Sequence, residues 1–389
     1  MIKKWLEIFI VSLRLGLTSF GGPAAHLGYF REEYVERRKW LTEKQYADLV
    51  GLCQFLPGPA SSQVGIGIGM SRGGTVGGII SFIGFTLPSV LILMAAAVGF
   101  QQQGLIELGI IDGLKITAVA IVAHALLGMG RNLAPDNQRA SIAVLAFILV
   151  LLIPAVWIQV AVIAASGLIG WWLYRQEKLP SAESLPVKLS MKFSAVCLTA
   201  FFGLLALLPV LRAAFDSLHL QLADSFYRAG ALVFGGGHVV LPLLEREVVP
   251  AGLISESEFL AGYGAAQAVP GPLFTFASYL GMVIDGTAGA VTATIAIFLP
   301  AFLLLLGVLP IWLLIQKKPG MRAAAAGINA GVVGILAAAL YQPVFTSAVT
   351  SPADLAFAAL LFMMLVYWKR PAWLAVIIGI VGGIIFYGG

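Results

Sequence analysis

Two arginines inside apolar stretches are the residues of this chain best suited to hold an anion. Arg14 and Arg228 each precede a Phe-Gly-Gly triplet by six residues, so they occupy matching positions in the two halves of the chain. A charge inside a membrane segment is costly and usually functional, and the guanidinium fork matches the oxygens of an oxyanion. The alternative is a structural arginine that extends to the membrane surface or pairs with Glu7 or Asp224.

A proline motif interrupts the chain twice at equivalent places. Residues 54–62 read QFLPGPASS, and Gln267 with Pro270-Gly271-Pro272 repeats the motif 213 residues later. Proline ends one helix and is favoured in the first turn of the next, whose free N–H groups carry about half a positive charge. We therefore predict an anion site at these breaks, with hydroxyl and amide donors beside them. The alternative is that the breaks only let helices cross closely.

The candidate binding residues lie at four helix breaks, to which we add the two arginines. They are Arg14, Gly21, Gly22, Gln54, Pro57, Gly58, Pro59, Ser61, Ser62, Arg228, Gly235, Gly236, Gln267, Pro270, Gly271, Pro272 and Thr275. Candidate carriers of a coupling ion are His26, Glu32, Asp48, Lys115 and His238. A structural role is the alternative for each carrier, and for Lys115 we favour a local ion pair with Asp112, three residues earlier on the same helical face.

The composition is that of a membrane protein with almost no soluble part. Of 389 residues, 59% are hydrophobic and 11% are charged, whereas soluble domains carry about 25% charged residues. The two cysteines, Cys53 and Cys197, indicate neither a disulfide framework nor a metal site, and there is no Walker motif for ATP. We expect no cofactor, no nucleic acid partner and, because no nucleophile–base set is found, no enzymatic activity.

The apolar segments predict an all-α polytopic fold made of two repeats. Each repeat contains two hairpins of broken helices followed by four membrane spans. We place the N-terminal repeat at 1–174, a linker with an extra transmembrane helix at 175–218, and the C-terminal repeat at 219–389. Thr42 is the predicted N-cap of the helix that precedes the first Pro-Gly-Pro break.

The charge distribution predicts the topology. Most of the 24 Lys and Arg residues fall on the cytoplasmic side if the N-terminus lies there and every broken helix pair folds back to the side it entered from. The extra helix then reverses the second repeat, so that its acidic loop 245–258 and the C-terminus face outward. The sequence therefore predicts two repeats of inverted topology.

These motifs resemble the chromate ion transporter family in its two-repeat form. The resemblance rests on Phe20-Gly21-Gly22-Pro23 with His26, on the charged stretch 31–40, on Leu56-Pro57-Gly58-Pro59, and on their echoes in the second half. It implies an inner-membrane secondary transporter that exports chromate with ion coupling, and sulfate is the alternative substrate. The expected partners are such an oxyanion, a coupling proton or sodium ion and the lipid bilayer, and a homodimer is left open.

Two further points qualify this resemblance. Gly237 stands in the second half where Pro23 stands in the first, and Phe274 stands where Ser61 does. We therefore expect the two halves to contribute unequally to the site. From another functional class, an anion channel with the breaks as its selectivity filter is the alternative.

Overall fold

The computed structural model describes residues 2–19, 22–101, 109–153, 158–174, 189–234, 239–312 and 319–387, and these parts are almost entirely helical. The principal helices are α1 (Ile2–Thr18), α2 (Gly22–Phe30), α3 (Glu43–Phe55), α4 (Ala60–Gln101), α5 (Ile110–Leu133), α6 (Asn137–Leu152), α7 (Ile158–Tyr174), α8 (Met191–Ala214), α9 (Leu218–Leu232), α10 (Val240–Val248), α11 (Glu256–Ala268) and α12 (Phe276–Val308). Three more follow at Pro319–Ala339, Pro352–Val366 and Ala372–Tyr387, a π-helix at Arg31–Arg37 extends α2, and a 3-10 turn at Leu273–Thr275 precedes α12.

Five helical stretches in the described residues are long and apolar enough to cross a membrane. They are Ala60–Phe100, Ile110–Arg131, Met191–Ala214, Leu273–Ile311 and Ala326–Ala348. Four shorter apolar helices accompany them, at Asn137–Leu152, Ile158–Tyr174, Pro352–Val366 and Ala372–Tyr387. The prediction of an all-α polytopic membrane protein is confirmed.

Helices α4 and α12 are each bent into two antiparallel arms. The backbone leaves the helical region at Gly73 and Gly74 in α4, and at Asp285 and Gly286 in α12. Ser81 Oγ donates to the carbonyl of Gly65 at 2.9 Å, which places the arm 75–101 alongside the arm 60–72. Glycines line the contact between the two arms in each of these helices, because small residues let two helix backbones approach closely. The predicted short arm and the span after it are therefore both present.

The four broken helix pairs all fold back as hairpins. Hairpin 1 is α1 with α2 and the π-helix, hairpin 2 is α3 with the arm 60–72, hairpin 3 is α9 with α10, and hairpin 4 is α11 with the arm 276–284. Contacts across them join Ser12 to Tyr34, Leu49 to Gly67, Ser225 to Glu247, and Tyr279 to Glu258. Each contact pair is centred on the break, as a fold-back requires and as a continuous span would forbid.

Helix caps fix where hairpins 2 and 4 begin. Thr42 accepts from the backbone N–H of Gln45 while the Gln45 side chain accepts from the backbone of Thr42, and Ser255 forms the same capping box with Glu258. Capping boxes satisfy N–H groups that have no partner inside the helix. The N-cap predicted at Thr42 is confirmed.

Hairpins 2 and 4 lie at different heights along the arm 75–101 of α4. At its start this arm packs against the end of the arm 60–72, through Gly77 and Gly69. In its middle Ser89 lies against Gly271, and beyond that point Ser278 Oγ donates to the carbonyl of Val90 at 3.4 Å. Near its end the ring of Phe100 meets that of Tyr279 in hairpin 4, with centroids 6.1 Å apart. Hairpin 4 therefore runs from the middle of this arm toward the end opposite to the α4 bend.

Candidate functional site

The tips of the four hairpins meet in reciprocal pairs. The backbone N–H of Gly58, in the first Pro-Gly-Pro motif, donates to the carbonyl of Val233 at the tip of hairpin 3, at 2.8 Å. The N–H of Gly271, in the second motif, donates to the carbonyl of Ser19 at the tip of hairpin 1, at 2.9 Å. Each proline motif therefore donates a hydrogen bond to the residue just before the Phe-Gly-Gly triplet of the other repeat. The tips of hairpins from both repeats therefore lie together.

Glycine is required at both proline motifs by conformation and by space. Gly58 has φ of +115° and Gly271 has φ of +103°, values that residues with a side chain rarely adopt. A Cβ on Gly58 would lie 3.2 Å from the side-chain nitrogen of Gln63, and one on Gly271 would lie 2.7 Å from the hydroxyl of Ser89. These two residues keep the tips close enough for their backbone hydrogen bonds.

The helix that follows the first motif directs its N-terminus at the tips. At its start the backbone N–H of Gln63 donates to the carbonyl of Pro59, at 3.0 Å. The N–H groups of the first turn have no earlier carbonyl to bind, and they carry the positive end of the helix dipole. Ser61 and Ser62 lie in that turn and are both buried. This end of α4 can therefore offer donors and partial positive charge to an anion.

His26 connects hairpin 1 to hairpin 2 from a fully buried position. Its Nε2 lies 3.2 Å from the carbonyl of Ser19, and its Nδ1 lies 3.3 Å from the hydroxyl of Ser61. Because a carbonyl only accepts, Nε2 must carry a proton, and in the neutral ring Nδ1 then accepts from Ser61. Its ring also makes an edge contact with Phe85, with centroids 5.4 Å apart. The imidazole thus contacts Ser19 at the tip of hairpin 1 and Ser61 at the tip of hairpin 2.

Three polar residues at the tips were missed by the sequence analysis. Gln63 is fully buried, and its Nε2 donates to the carbonyl of Pro57 at 3.0 Å, across the base of the first motif. Ser19 supplies the carbonyl that receives Gly271, and Ser89 lies against Gly271. A polar residue one turn after the break, and another just before the Phe-Gly-Gly triplet, would have been usable signals in otherwise apolar segments.

The other predicted binding residues divide into three groups. Pro59, Pro270, Pro272 and Thr275 are buried at the tips, and Pro57 and Gly22 are half-buried there. Gln54 is exposed, and Gln267 is half-buried with no partner for its Nε2. Gly21, Gly235 and Gly236 lie outside the described residues.

The two symmetric arginines are not brought together at the tips. Arg14 lies on an exposed face of α1, together with exposed Leu6, Ile10 and Leu17. Arg228 binds Asp224 at 2.5 Å and Glu247 at 3.1 Å. The geometry therefore favours the structural alternative for Arg228, namely pairing with Asp224.

The predicted ion carriers occupy different environments. Lys115 pairs with Asp112 at 3.1 Å, as favoured from their spacing. Glu32 is exposed and Asp48 is half-buried on α3, whereas His238 lies outside the described residues. Of the four carriers in the described residues, His26 is the one whose contacts place it at the hairpin tips. The described residues contain no group of His, Cys, Asp and Glu that could hold a metal ion.

Comparison with known proteins gives the same two-part organisation. The family model for chromate transporters matches residues 6–171 and again residues 220–384. The chain is 27% identical to a chromate transport protein of Pseudomonas aeruginosa over 85% of this chain and 79% of that protein. It is 30% identical to an uncharacterized transporter of Methanocaldococcus jannaschii, covering 86% and 83% of the two chains.

A relative of nearly equal length completes the comparison. A probable chromate transport protein of Synechococcus elongatus is 26% identical over 99% of this chain and 96% of its own. No solved structure matches the chain. Because the family model matches both halves and most of the sequence, the chain consists of two copies of one domain and belongs to the chromate transporter family.

Proposed function

We propose that the protein is a secondary active transporter that exports a tetrahedral oxyanion, chromate first and sulfate as the alternative, across the inner membrane. The observation that carries this proposal is the reciprocal pairing of Gly58 with Val233 and of Gly271 with Ser19. It brings broken helices from both repeats to one place inside an apolar protein. Family membership supports chromate transport in general terms, and the tips supply the anion-binding chemistry.

The anion binds between the tips in this proposal. The first turn of α4 contributes backbone N–H groups, the helix dipole and the hydroxyls of Ser61 and Ser62. The two inter-repeat hydrogen bonds must part for the anion to enter, because they hold the tips in contact. Such a site, formed at the interface between repeats by discontinuous helices, is typical of secondary transporters.

A proton bound at His26 is the coupling ion that this geometry favours. In the neutral ring, Nδ1 accepts the hydroxyl proton of Ser61. When Nδ1 is protonated it donates instead, and the Ser61 hydroxyl is released to donate to the anion. One positive charge near the tips would also offset part of the free-energy cost of removing a dianion from water. Sodium remains the alternative coupling ion.

The topology we propose has the N-terminus in the cytoplasm and the C-terminus in the periplasm, with inverted repeats. Two features support it. The basic residues concentrate in the loops assigned to the cytoplasm, and hairpin 4 extends along α4 toward the end opposite to the α4 bend.

Reconstituted protein tests the transport proposal. Proteoliposomes should take up labelled chromate when a proton gradient is imposed, with saturable kinetics and with competition by sulfate. A sodium gradient is the second arm of the experiment. Failure to move either oxyanion under both gradients would refute the substrate class, and large unitary currents in electrical recordings would indicate the channel alternative.

A further inference from the structure

Three hydroxyl groups of the N-terminal repeat are buried at or beside the tips without a hydrogen-bond partner. Ser19 Oγ, Ser62 Oγ and Thr86 Oγ1 all lack one, and their residues are 0%, 2% and 3% exposed. Buried polar groups in proteins are nearly always paired, because an unpaired one forfeits its bonds to water without replacement. Three such groups in one region therefore indicate that the region binds something with complementary acceptors.

Ser19 and Ser62 lie on the hairpin tips themselves. The carbonyl of Ser19 accepts from Gly271 of the second proline motif, and Ser62 is in the first turn of α4 after the first motif. Their hydroxyls therefore border the place where the two repeats join.

Thr86 faces the other repeat from the arm 75–101 of α4. It lies on one helical face between Phe82 and Ser89, four residues after the first and three before the second. Phe82 contacts Phe298 across the repeat interface with ring centroids 4.9 Å apart, and Ser89 lies against Gly271. Thr86 therefore sits between an aromatic contact and the tip of hairpin 4.

The C-terminal repeat presents apolar side chains at the positions equivalent to Ser19 and Thr86. Ser89 lies against Gly271 as Ala301 lies against Gly58, so Ser89 and Ala301 occupy equivalent positions. Thr86 and Phe298, each three residues earlier, are then equivalent as well. Ser19 and Val233 correspond because each accepts a tip hydrogen bond through its carbonyl. Apolar Phe298 and Val233 thus stand where the N-terminal repeat has unpaired hydroxyls.

The tip hydroxyls that the C-terminal repeat does contain are already used. Thr275 Oγ1 donates to the carbonyl of Pro272 at 2.6 Å, and Ser278 Oγ donates to that of Thr275 at 2.7 Å. The unpaired polar atom that this repeat adds at its proline motif is Gln267 Nε2. The difference between the repeats is therefore one of available donors, and not only of residue type.

We infer that the oxyanion site is one-sided: Ser19, Ser62 and Thr86 of the N-terminal repeat donate to the oxyanion, and Phe274 and Phe298 of the C-terminal repeat form the opposite wall. This inference rests on the proposed oxyanion transport and adds specificity-determining residues, Ser19 and Thr86, to it. Phe274 and Phe298 lie 6.1 Å apart between ring centroids and have no hydrogen-bonding atoms in their side chains. A ligand with several acceptor oxygens satisfies the hydroxyls, whereas a halide offers a single acceptor atom.

The test compares Thr86→Val and Ser19→Ala with wild type in proteoliposome uptake of chromate. Valine keeps the shape of threonine and removes the hydroxyl, so KM should rise roughly tenfold to a hundredfold, the effect of one hydrogen bond to a charged partner. Thr86→Ser restores the hydroxyl and should restore KM. Thr294→Val is the matched control, because the Thr294 hydroxyl on the arm 287–308 already donates to the carbonyl of Ala290 at 2.7 Å.

Thermal unfolding of the purified variants gives a second, independent readout. Removing an unpaired buried hydroxyl should leave the ligand-free Tm unchanged or raise it, while a given chromate concentration should raise the Tm of the variants less than that of wild type. If wild-type protein moves no oxyanion, the proposed function fails. If wild type transports and both variants keep its KM and its chromate-induced Tm shift, the proposed function stands and the one-sided site is refuted.

Discussion

Two positive and two negative side chains form a neutral cluster beside hairpin 3. Arg228 lies between Asp224 and Glu247, and Arg212 reaches the same two carboxylates from α8, at 3.2 Å and 3.6 Å. Asp224 is only 2% exposed, and a buried carboxylate without such partners would be strongly destabilising. The charge of Arg228 is thus balanced within the protein, whereas the hydroxyls of Ser19, Ser62 and Thr86 have no hydrogen-bond partner.

Replacing Arg228 should therefore affect stability before it affects substrate affinity. Arg228→Ala leaves two carboxylates with one guanidinium and should destabilise the protein by roughly 1–3 kcal/mol. Arg228→Lys keeps the charge and should retain the wild-type KM for chromate. Thermal unfolding and uptake kinetics measure the two effects, and Arg14→Ala, on the exposed face of α1, is the control expected to leave Tm unchanged. A raised KM for chromate in Arg228→Lys at unchanged Tm would contradict this prediction and indicate that Arg228 binds the substrate.

Substitution of His26 should separate binding from coupling. His26→Gln retains a donor for the carbonyl of Ser19 but cannot take up a proton at neutral pH. We expect this variant to exchange labelled for unlabelled chromate across the bilayer, and to lose acceleration of uptake by an imposed proton gradient. His124→Gln, at an exposed position on α5, should behave as wild type. Proton-driven uptake that survives in His26→Gln would assign coupling to another group.

At the scale of the helical elements, local sequence signals predicted the breaks and the caps correctly. Pro57 and Pro59 end and begin helices where proline chemistry requires it, and Thr42 caps α3. The pairing of tips between repeats could not be predicted, because Gly58 and Val233 are far apart in the chain and meet only through backbone atoms. Because the types of the side chains do not determine such a backbone hydrogen bond, the partner of each proline motif could be identified only from the structure.

The two motif glycines should differ in their tolerance of alanine. Both have positive φ, and holding a residue with a side chain in such a region costs about 1–3 kcal/mol. In Gly271→Ala the new Cβ also meets the Ser89 hydroxyl at 2.7 Å, whereas in Gly58→Ala it meets the flexible end of Gln63 at 3.2 Å. We expect the larger losses of Tm and of transport in Gly271→Ala.

A glycine inside a helix provides the matched control for this comparison. Gly128 on α5 has no positive φ, and apart from its chain neighbours and the backbone of its own helix no described atom lies within 4 Å of the position that a Cβ would take there. Gly128→Ala should therefore be neutral or stabilising by up to about 1 kcal/mol. Equal tolerance of alanine at Gly58, Gly271 and Gly128 would contradict the close approach of the tips.

On the scale of the whole molecule, clusters of polar side chains occupy matching positions in the two repeats. Glu7 binds both Arg38 and Arg72 at 3.2 Å, which ties hairpin 1 to the bend of α4. In the second repeat His219 lies 3.5 Å from Asp285, which ties hairpin 3 to the bend of α12. Arg72 and Asp285 are 213 residues apart, the same offset as the proline motifs. Each cluster therefore joins the equivalent pair of elements, at the ends of the hairpins remote from the tips.

If the repeats are inverted, these two clusters lie on opposite faces of the membrane, and surface labelling can decide the point. Lys39 follows hairpin 1 near the first cluster, and Glu256 begins hairpin 4 in the acidic loop. Single cysteines at these positions should react with a membrane-impermeant thiol reagent from opposite sides: Lys39→Cys only in opened cells, and Glu256→Cys in intact ones. Both substitutions are made in a variant from which the two native cysteines, the buried Cys53 and Cys197, have been removed. Labelling of both positions from the same side of sealed cells would rule out inverted repeats, and the tips would then have to be reached from one face only.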